Sequence, residues 1–531
     1  MDIGSDTILP LMKGLPAETD FVVIGTGVAG SRAAIELASA GRVLLLAKRE
    51  SLHSSPAGGV SSALSDEDEV ILHLKDSLIA GDGLCRPEAL KTLIDEASER
   101  VEELIAWDKQ SDRRKSKLVF ESEASYSHSH VLRAPGDSVG SEITRVLHAK
   151  VRASKNITVL EFEFSTELQT DEQRVTGVSV ISSKGLPEEI ACSAVLLASG
   201  GMGQLYRNTT NSDAATADGV AMAFRASAEV SDMEFVQFFP TVLYMKKAPR
   251  FLLAEGLRSE GAYLRNIEMD RFMAKYHPLA EMAPGDVVAR AMMHEMEVSR
   301  AKDPFVYLDL THLSAARVQK RFPRIYSVCM QHNIDITEDV IPVRPAAHCS
   351  IGGVRTDLEG KSSLAGLYAA GEVAATGVHG ANRFPSNSLL EALVYGARAG
   401  KAMRQELKTA RTMDKKEKKA ASQNGPVDAG IEELIVQIQD TMWKNVGVVR
   451  TRAGMLEAIK VLEGLAPRVA HPRTRRSYEA ANLYAAGLLV VRSALAREES
   501  RGAHYRIDYP SHDDKRFLKH SVAKGGTVKF I

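Results

Sequence analysis

Cysteine is scarce in this 531-residue chain. There are four, Cys85, Cys192, Cys329 and Cys349, and no two stand in a CxxC spacing. That scatter argues against a disulfide framework, a zinc site or an iron–sulfur cluster, and it fits a reducing cytoplasm. Long hydrophobic runs are also missing. No stretch reaches the roughly 18 apolar residues that a spanning helix needs, so no membrane span is expected. The first 19 residues hold one lysine and no apolar segment, which argues against a secretory signal. Neither sign of charge prevails, with 67 Lys plus Arg against 68 Asp plus Glu. That balance argues against nucleic acid or an anionic membrane surface as the main partner. No internal repeat is found.

What is present is ordinary soluble composition, 44% apolar and 25% charged, over a length that suggests two to four domains. The stretch "DFVVIGTGVAGSRAAIELASAGRVLLLAKRE" reads as a buried strand, a glycine turn, a helix and a second strand. Such a unit implies a parallel sheet with a right-handed crossover. Two helices are expected over 66–110 and several strands over 157–200. Helices and turns should dominate 213–340, and strands return at 351–375. A helix should begin near Asn387. "KTARTMDKKEKKAASQNGPVDAG" is polar and Lys-rich, as expected of an exposed linker. Helices should then run through 430–500, followed by a tail of little periodicity.

Gly25-Thr26-Gly27-Val28-Ala29-Gly30 fits G-x-G-x-x-G and lies between a strand and a helix. In that context the glycines let backbone approach a pyrophosphate at a helix N-terminus. The second strand ends in Lys48, where a ribose-binding acid would favour NAD. Further glycine turns end apolar strands at "LLASGGMG" and "LYAAGEV". A chain that returns repeatedly to one nucleotide points to FAD. Glu372 can accept a bond from a ribitol or ribose hydroxyl. "PAGGVSSAL" offers Gly58 and Gly59 for close approach to the isoalloxazine ring.

Longer motifs extend this reading. "LLASGGMGQLYRNTTNSDAATADGVAMAFRA", "MEFVQFFPTVLY", "FLLAEGLRSEGAYL", "RPAAHCSIGGV", "GEVAATGVHGANRFPSNSLLEALVYG" and "REESRGAHYRIDYP" occur in that order. Together, from about Asp20 to Pro510, they resemble the L-aspartate oxidases within the succinate dehydrogenase/fumarate reductase flavoprotein family. The resemblance implies an α/β fold: a Rossmann-like FAD-binding domain with an inserted α+β capping domain and a C-terminal helical domain. The implied boundaries are 1–235 and 341–405 for the FAD-binding domain, 236–340 for the capping domain, 406–429 for a linker and 430–531 for the helical domain and tail. It implies FAD contacts at Thr26, Gly27, Val28, Ala29, Lys48, Gly58, Gly59, Asp218, Glu372, Ser388 and Leu389. Quinone-linked relatives hold FAD covalently through a His before Gln-Gly-Gly. Here His53 is one residue out of phase and Ala57 takes the Gln position, so the resemblance implies non-covalent FAD.

The implied activity is oxidation of L-aspartate to iminoaspartate for NAD biosynthesis, with quinolinate synthase as a pathway partner. Such chemistry needs donors for carboxylates, a flavin to accept hydride and a route for a proton. The resemblance gives these roles to Arg383 as a carboxylate anchor, His348 as a substrate contact and Glu123 as the acid beside the amino group. Three positions depart from the family pattern: Phe239 replaces a His, Ala254 a Thr, and Gly285 a proton-transfer Arg in "EMAPGDVVARAMMHE". By helical spacing the face of Gly285 continues at Val288, Ala289 and Met292, and Arg290 should point away. The proton then has Glu123, Arg258, His348 or water as acceptor. Two alternatives stay open at this point: a related oxidoreductase with a less acidic substrate, and a non-catalytic FAD-binding paralogue.

Overall fold

The computed structural model describes residues 15–50, 60–61, 67–111, 119–121, 131–133, 139–245, 248, 250–384, 387–408 and 430–531. Glu123, Gly58, Gly59, His53 and most of the linker lie outside the described residues.

The first strand, Phe21–Ile24, is buried along its whole length, so its continuous apolar run needs cover on both faces. It sits third in a five-stranded sheet, between Ala194–Leu197 and Val43–Ala47, with Leu367–Ala369 and Ile157–Glu161 at the edges. Every pairing is parallel. The helices Val28–Leu37 and Asn387–Met403 pack against each other over this sheet. Parallel pairing brings the carboxyl ends of the strands to one edge, where ligands bind in such sheets. That edge carries Gly25, Lys48, the turn at 198–201 and the turn at 370–372. A separate antiparallel sheet, Phe164–Asp171, Arg174–Ile181 and Pro187–Ala191, follows as the strand-rich composition of 157–200 predicts.

Residues 236–350 form a second body. Four antiparallel strands run in the order Val236–Leu243, Ile341–Ser350, Val306–Asp309 and Tyr263–Arg265. Their apolar side chains, with those of the helix Gly285–Val298, build a core of their own around Leu264, Met292, Leu308 and Val343. Periodicity over 213–340 pointed to helices and turns, whereas the family resemblance implied an α+β capping domain, and the sheet bears out the second. Its strands are short or interrupted by Pro240, Pro342 and Pro345, which hide the pattern. The long strand Ile341–Ser350 then delivers His348 back beside Thr210 and Asn211.

Three helices, Ile431–Asn445, Arg452–Val469 and Arg475–Ala496, fill the C-terminal part, as the sequence predicts. One expectation is corrected. The segment 67–111 holds three helices, Glu67–Ala80, Pro87–Asp95 and Ala97–Ser111, the last two separated only by Glu96. Beyond the tail of little periodicity the chain forms an unexpected hairpin, Ser521–Lys524 and Thr527–Phe530, which pairs with Val230–Ser231. Gly525 and Gly526 take its turn at φ +55° and +87°, the left-handed conformation a two-residue hairpin requires. Among the described residues no helix is long and apolar enough to cross a membrane.

Candidate active site

The glycine turn has the geometry of a phosphate cradle. Gly25 has φ +112°, and a Cβ there would stand 2.1 Å from Ala198 O. A Cβ on Gly30 would stand 1.9 Å from Gly25 O, so strand and helix approach as only glycine allows. A Cβ on Gly27, by contrast, would meet nothing within 4 Å. Gly27 caps the helix Val28–Leu37 without a side-chain hydrogen bond. The first-turn N–H groups and the helix dipole therefore face open space suited to an anion. The Thr26 carbonyl is held by Ser31 Oγ and His148 Nε2, both at 3.0 Å, while Val28 and Ala29 are buried.

Lys48 and Asp218 come together at the same edge. Lys48 Nζ donates to Asp218 Oδ2 at 2.7 Å and to Thr216 Oγ1 at 2.6 Å. It also pairs with Glu479 at 3.2 Å. Asn482 donates to Asp218 Oδ1 at 2.9 Å, and Arg475 to the Lys48 carbonyl at 2.5 Å. Glu479, Asn482 and Arg475 all come from the C-terminal helix, and sequence reading missed them. Burial pushes the Glu479 carboxyl up, but Lys48, Arg476 and Arg475 together hold it below the usual range.

Glu372 accepts from Ser350 N at 2.9 Å. A Cβ on Gly201 would stand 2.1 Å from its Oε1, so the "SGG" turn is shaped to this carboxylate. Burial raises the Glu372 carboxyl, while the Ser350 N–H and the Arg383 charge pull it back. Leu389 packs in the apolar core beneath the parallel sheet, with Val28 and Leu390. Ser388 is tied to Arg383, its Oγ accepting from Arg383 Nη1 at 2.8 Å.

Arg383 is buried and its fork is aimed by Gln237, a positioning residue that sequence reading missed. Arg383 Nε donates to Gln237 Oε1 at 2.9 Å, and Gln237 Nε2 donates back to Arg383 O at 2.9 Å. His348 lies close enough to feel that charge: burial first, then Arg383, pulls its pKa down to about 3. The ring is therefore neutral at any ordinary pH. Thr210 Oγ1 sits 2.8 Å from His348 Nδ1, against 3.5 Å to Ala347 O. With the hydroxyl donating to Nδ1, the ring proton resides on Nε2, which becomes a donor.

A cleft of about 700 Å³ opens on Arg383, Gln237, Phe239, Pro240 and Gly285. Phe239 stands edge-on to His348, with ring centroids 5.5 Å apart. Ala254 packs against the capping core. A Cβ on Gly285 would touch only Pro240 Cδ, at 3.8 Å. Val288, Ala289 and Met292 are buried, so nothing on that helical face reaches the cleft, as expected. Arg290 departs from expectation. It lines the same cleft as Gly285, together with Asp286 and Val287. The cleft sees the end of the helix, and its opening turn and the next present themselves together.

A family model described as FAD binding domain matches residues 20–389, and one described as fumarate reductase flavoprotein C-term matches 436–530. L-aspartate oxidase 1 of Ralstonia nicotianae is 40% identical over 514 residues, covering 92% of this chain and 95% of that protein. The chain belongs to the L-aspartate oxidase family. The Streptomyces coelicolor L-aspartate oxidase is 38% identical over 96% of this chain and 92% of its own length. Among solved structures, a mutant of E. coli quinol fumarate reductase FrdA superposes with TM-score 0.86 at 28% identity, covering 97% of this chain and 96% of that one. Mycobacterium smegmatis Sdh1 in complex with UQ1 gives 0.81 at 28%, covering 97% and 94%. FAD is the cofactor of this family's dinucleotide domain. The open, uncapped cradle at Gly27 and the shaped turn at Glu372 fit it.

Proposed function

We propose that this protein is an FAD-dependent L-aspartate oxidase that forms iminoaspartate for NAD biosynthesis. The observation that carries the reading is Arg383, held by Gln237 on one cleft, with His348 packed against Phe239 of the same cleft, in a chain of the L-aspartate oxidase family. FAD, when bound, supplies the acceptor for the hydride that leaves the substrate's Cα. Arg383 grips one carboxylate through its planar fork, which Gln237 holds in place. Neutral His348 donates Nε2–H to the substrate without adding charge. Glu123 is assigned to orient the amino group.

Amine oxidation releases one hydride and one proton. As hydride leaves Cα the nitrogen lone pair forms the C=N bond, and the resulting iminium gives its proton to water in the space beside Gly285, so no side chain on that helix face is needed. This reading makes Gly285 compatible with turnover of an amine and disfavours fumarate reduction, which needs a proton delivered.

The cofactor contacts proposed are Thr26, Gly27, Val28, Ala29, Lys48, Gly58, Gly59, Asp218, Glu372, Ser388 and Leu389, with FAD held non-covalently. The proposed division is at 235/236, 340/341, 405/406 and 429/430; the separate apolar core of the capping region supports an inserted domain and extends to Ile341 and Val343, a few residues past the second of these boundaries. A cytoplasmic setting and a quinolinate synthase downstream complete the proposal. Its test is anaerobic addition of millimolar L-aspartate to the purified holoprotein. Loss of the visible flavin absorbance supports the reading, and an unchanged spectrum sinks it.

A further inference from the structure

Phe239, Ala254 and Gly285 offer no hydrogen-bond donor from their side chains, yet an aspartate has a second carboxylate to satisfy. Four arginines line the cleft: Arg258, Arg290, Arg383 and Arg501. Three are committed. Arg383 is the anchor already described. Arg258 is 2% exposed, donating to Glu255 Oε1 at 2.6 Å and to Glu281 O and Ala283 O at 2.6 and 3.3 Å. It fastens the loop ahead of the helix Gly285–Val298. Arg501 is 3% exposed and is held by Glu499 at 2.9 and 3.0 Å, by Asp82 O at 2.9 Å and by Asp514.

Arg290 differs. Its side chain is 26% exposed, and only Nη1 is engaged, with Asp286 Oδ2 at 2.7 Å one turn back on its own helix. Its Nε and Nη2 have no hydrogen-bond partner among the described residues. The guanidinium lies over the Tyr505 ring, 4.9 Å from the centroid, which fixes its plane and leaves an edge available. Gly285 keeps the cleft open beside Asp286, because a Cβ there would meet only Pro240. The helix's first turn has no side-chain cap, so its dipole offsets the Asp286 charge.

We propose that Arg290 is the specificity-determining residue for the substrate's distal carboxylate, binding it with the guanidinium edge that Asp286 leaves open. The inference rests on the reading of L-aspartate as substrate. It assigns distal recognition to a guanidinium stacked against the C-terminal region by Tyr505, one turn along the helix from Gly285.

Holoenzyme carrying Arg290→Gln tests it. Two readouts are paired: flavin reduction by L-aspartate and by its neutral-ended isostere L-asparagine, and the flavin spectral titration with succinate, which binds without being an amine. Loss of one charge-assisted bond should raise the aspartate KM and the succinate Kd about 10- to 100-fold. L-asparagine turnover, FAD content and Tm should stay near wild type, and Arg290→Lys should recover part of the loss. Equal losses for aspartate and asparagine, or unchanged succinate binding, would overturn the assignment. If aspartate fails to reduce the wild-type flavin but the variant still weakens succinate, the function fails and the Arg290 site stands. If aspartate turns over and the variant is indifferent, the reverse holds. Wild-type protein that neither turns over aspartate nor binds succinate refutes both.

Discussion

Replacing Gln237 with leucine removes the clamp on Arg383 while nearly conserving volume. Three contacts go: the acceptor for Arg383 Nε at 2.9 Å, and the donor to Arg383 O and Asn382 Oδ1 at 2.9 and 3.2 Å. Arg383 is 8% exposed, so its Nε–H would be left without its acceptor away from water, at about 1–3 kcal/mol. A guanidinium that rotates to relieve this loses its bidentate aim on the carboxylate. Each 1.4 kcal/mol is tenfold, which gives about a 10- to 100-fold fall in kcat/KM for L-aspartate. FAD content should not change, because Gln237 sits on the substrate side. The companion Gln237→Glu keeps an acceptor but places a negative charge against Arg383. It should weaken carboxylate binding as well, and raise the His348 pKa from its depressed value, since Arg383's charge is part of what lowers it. Steady-state kinetics with the flavin absorbance as a check of loading decides the matter. A leucine variant with wild-type kcat/KM would refute the idea that Gln237 positions Arg383.

Other outcomes are equally specific. With His348 held near a pKa of about 3 by burial and Arg383, succinate affinity should show no ionisation of this ring between pH 5 and 8, and His348→Ala should weaken binding without changing that profile. His520 bonds Asp232 Oδ2 at 2.7 Å and its pKa is raised, the pull of Asp232 outweighing the burial and the nearby Arg86 and Arg497 that lower it. Its stabilising contribution is full below the unfolded value near 6.5 and is lost as pH rises through the higher folded value. The wild-type Tm should therefore fall over that window more than the Tm of His520→Asn does; parallel curves would disprove the coupling. Lys48→Met strips a cation from Asp218 and from Glu479, which is 3% exposed, so urea unfolding should show a loss of about 3 kcal/mol with weaker FAD retention.

The dinucleotide end was legible in the sequence because its demands are local. Gly25 and Gly30 are fixed by contacts with the neighbouring strand turn and with each other, and a glycine pattern reports such constraints directly. The C-terminal partners of that end were not legible. Glu479 and Asn482 reach Lys48 and Asp218 across more than 260 residues, and nothing in a helical stretch marks which polar residue faces a distant site. Gln237 was hidden in the same way, its role apparent only once Asn382 and Arg383 fold against it. Arg290 was misplaced for a different reason: five-residue spacing separates faces along a helix, but this cleft meets the helix near its end. The hairpin at 521–530 carried a usable signal in Gly525-Gly526, which a reading for helical periodicity passed over. Glu123, Gly58 and Gly59 remain assignments from resemblance to the family.

The central claim is that a chain with glycine at 285, phenylalanine at 239 and alanine at 254 still oxidises L-aspartate at a flavin. Anaerobic titration of the FAD-loaded protein with L-aspartate, followed by its visible absorbance, tests it most directly. The account predicts full bleaching at millimolar substrate, with iminoaspartate formed in equal amount to the flavin reduced. A flavin that stays oxidised, in protein shown by its spectrum to be loaded, would contradict it.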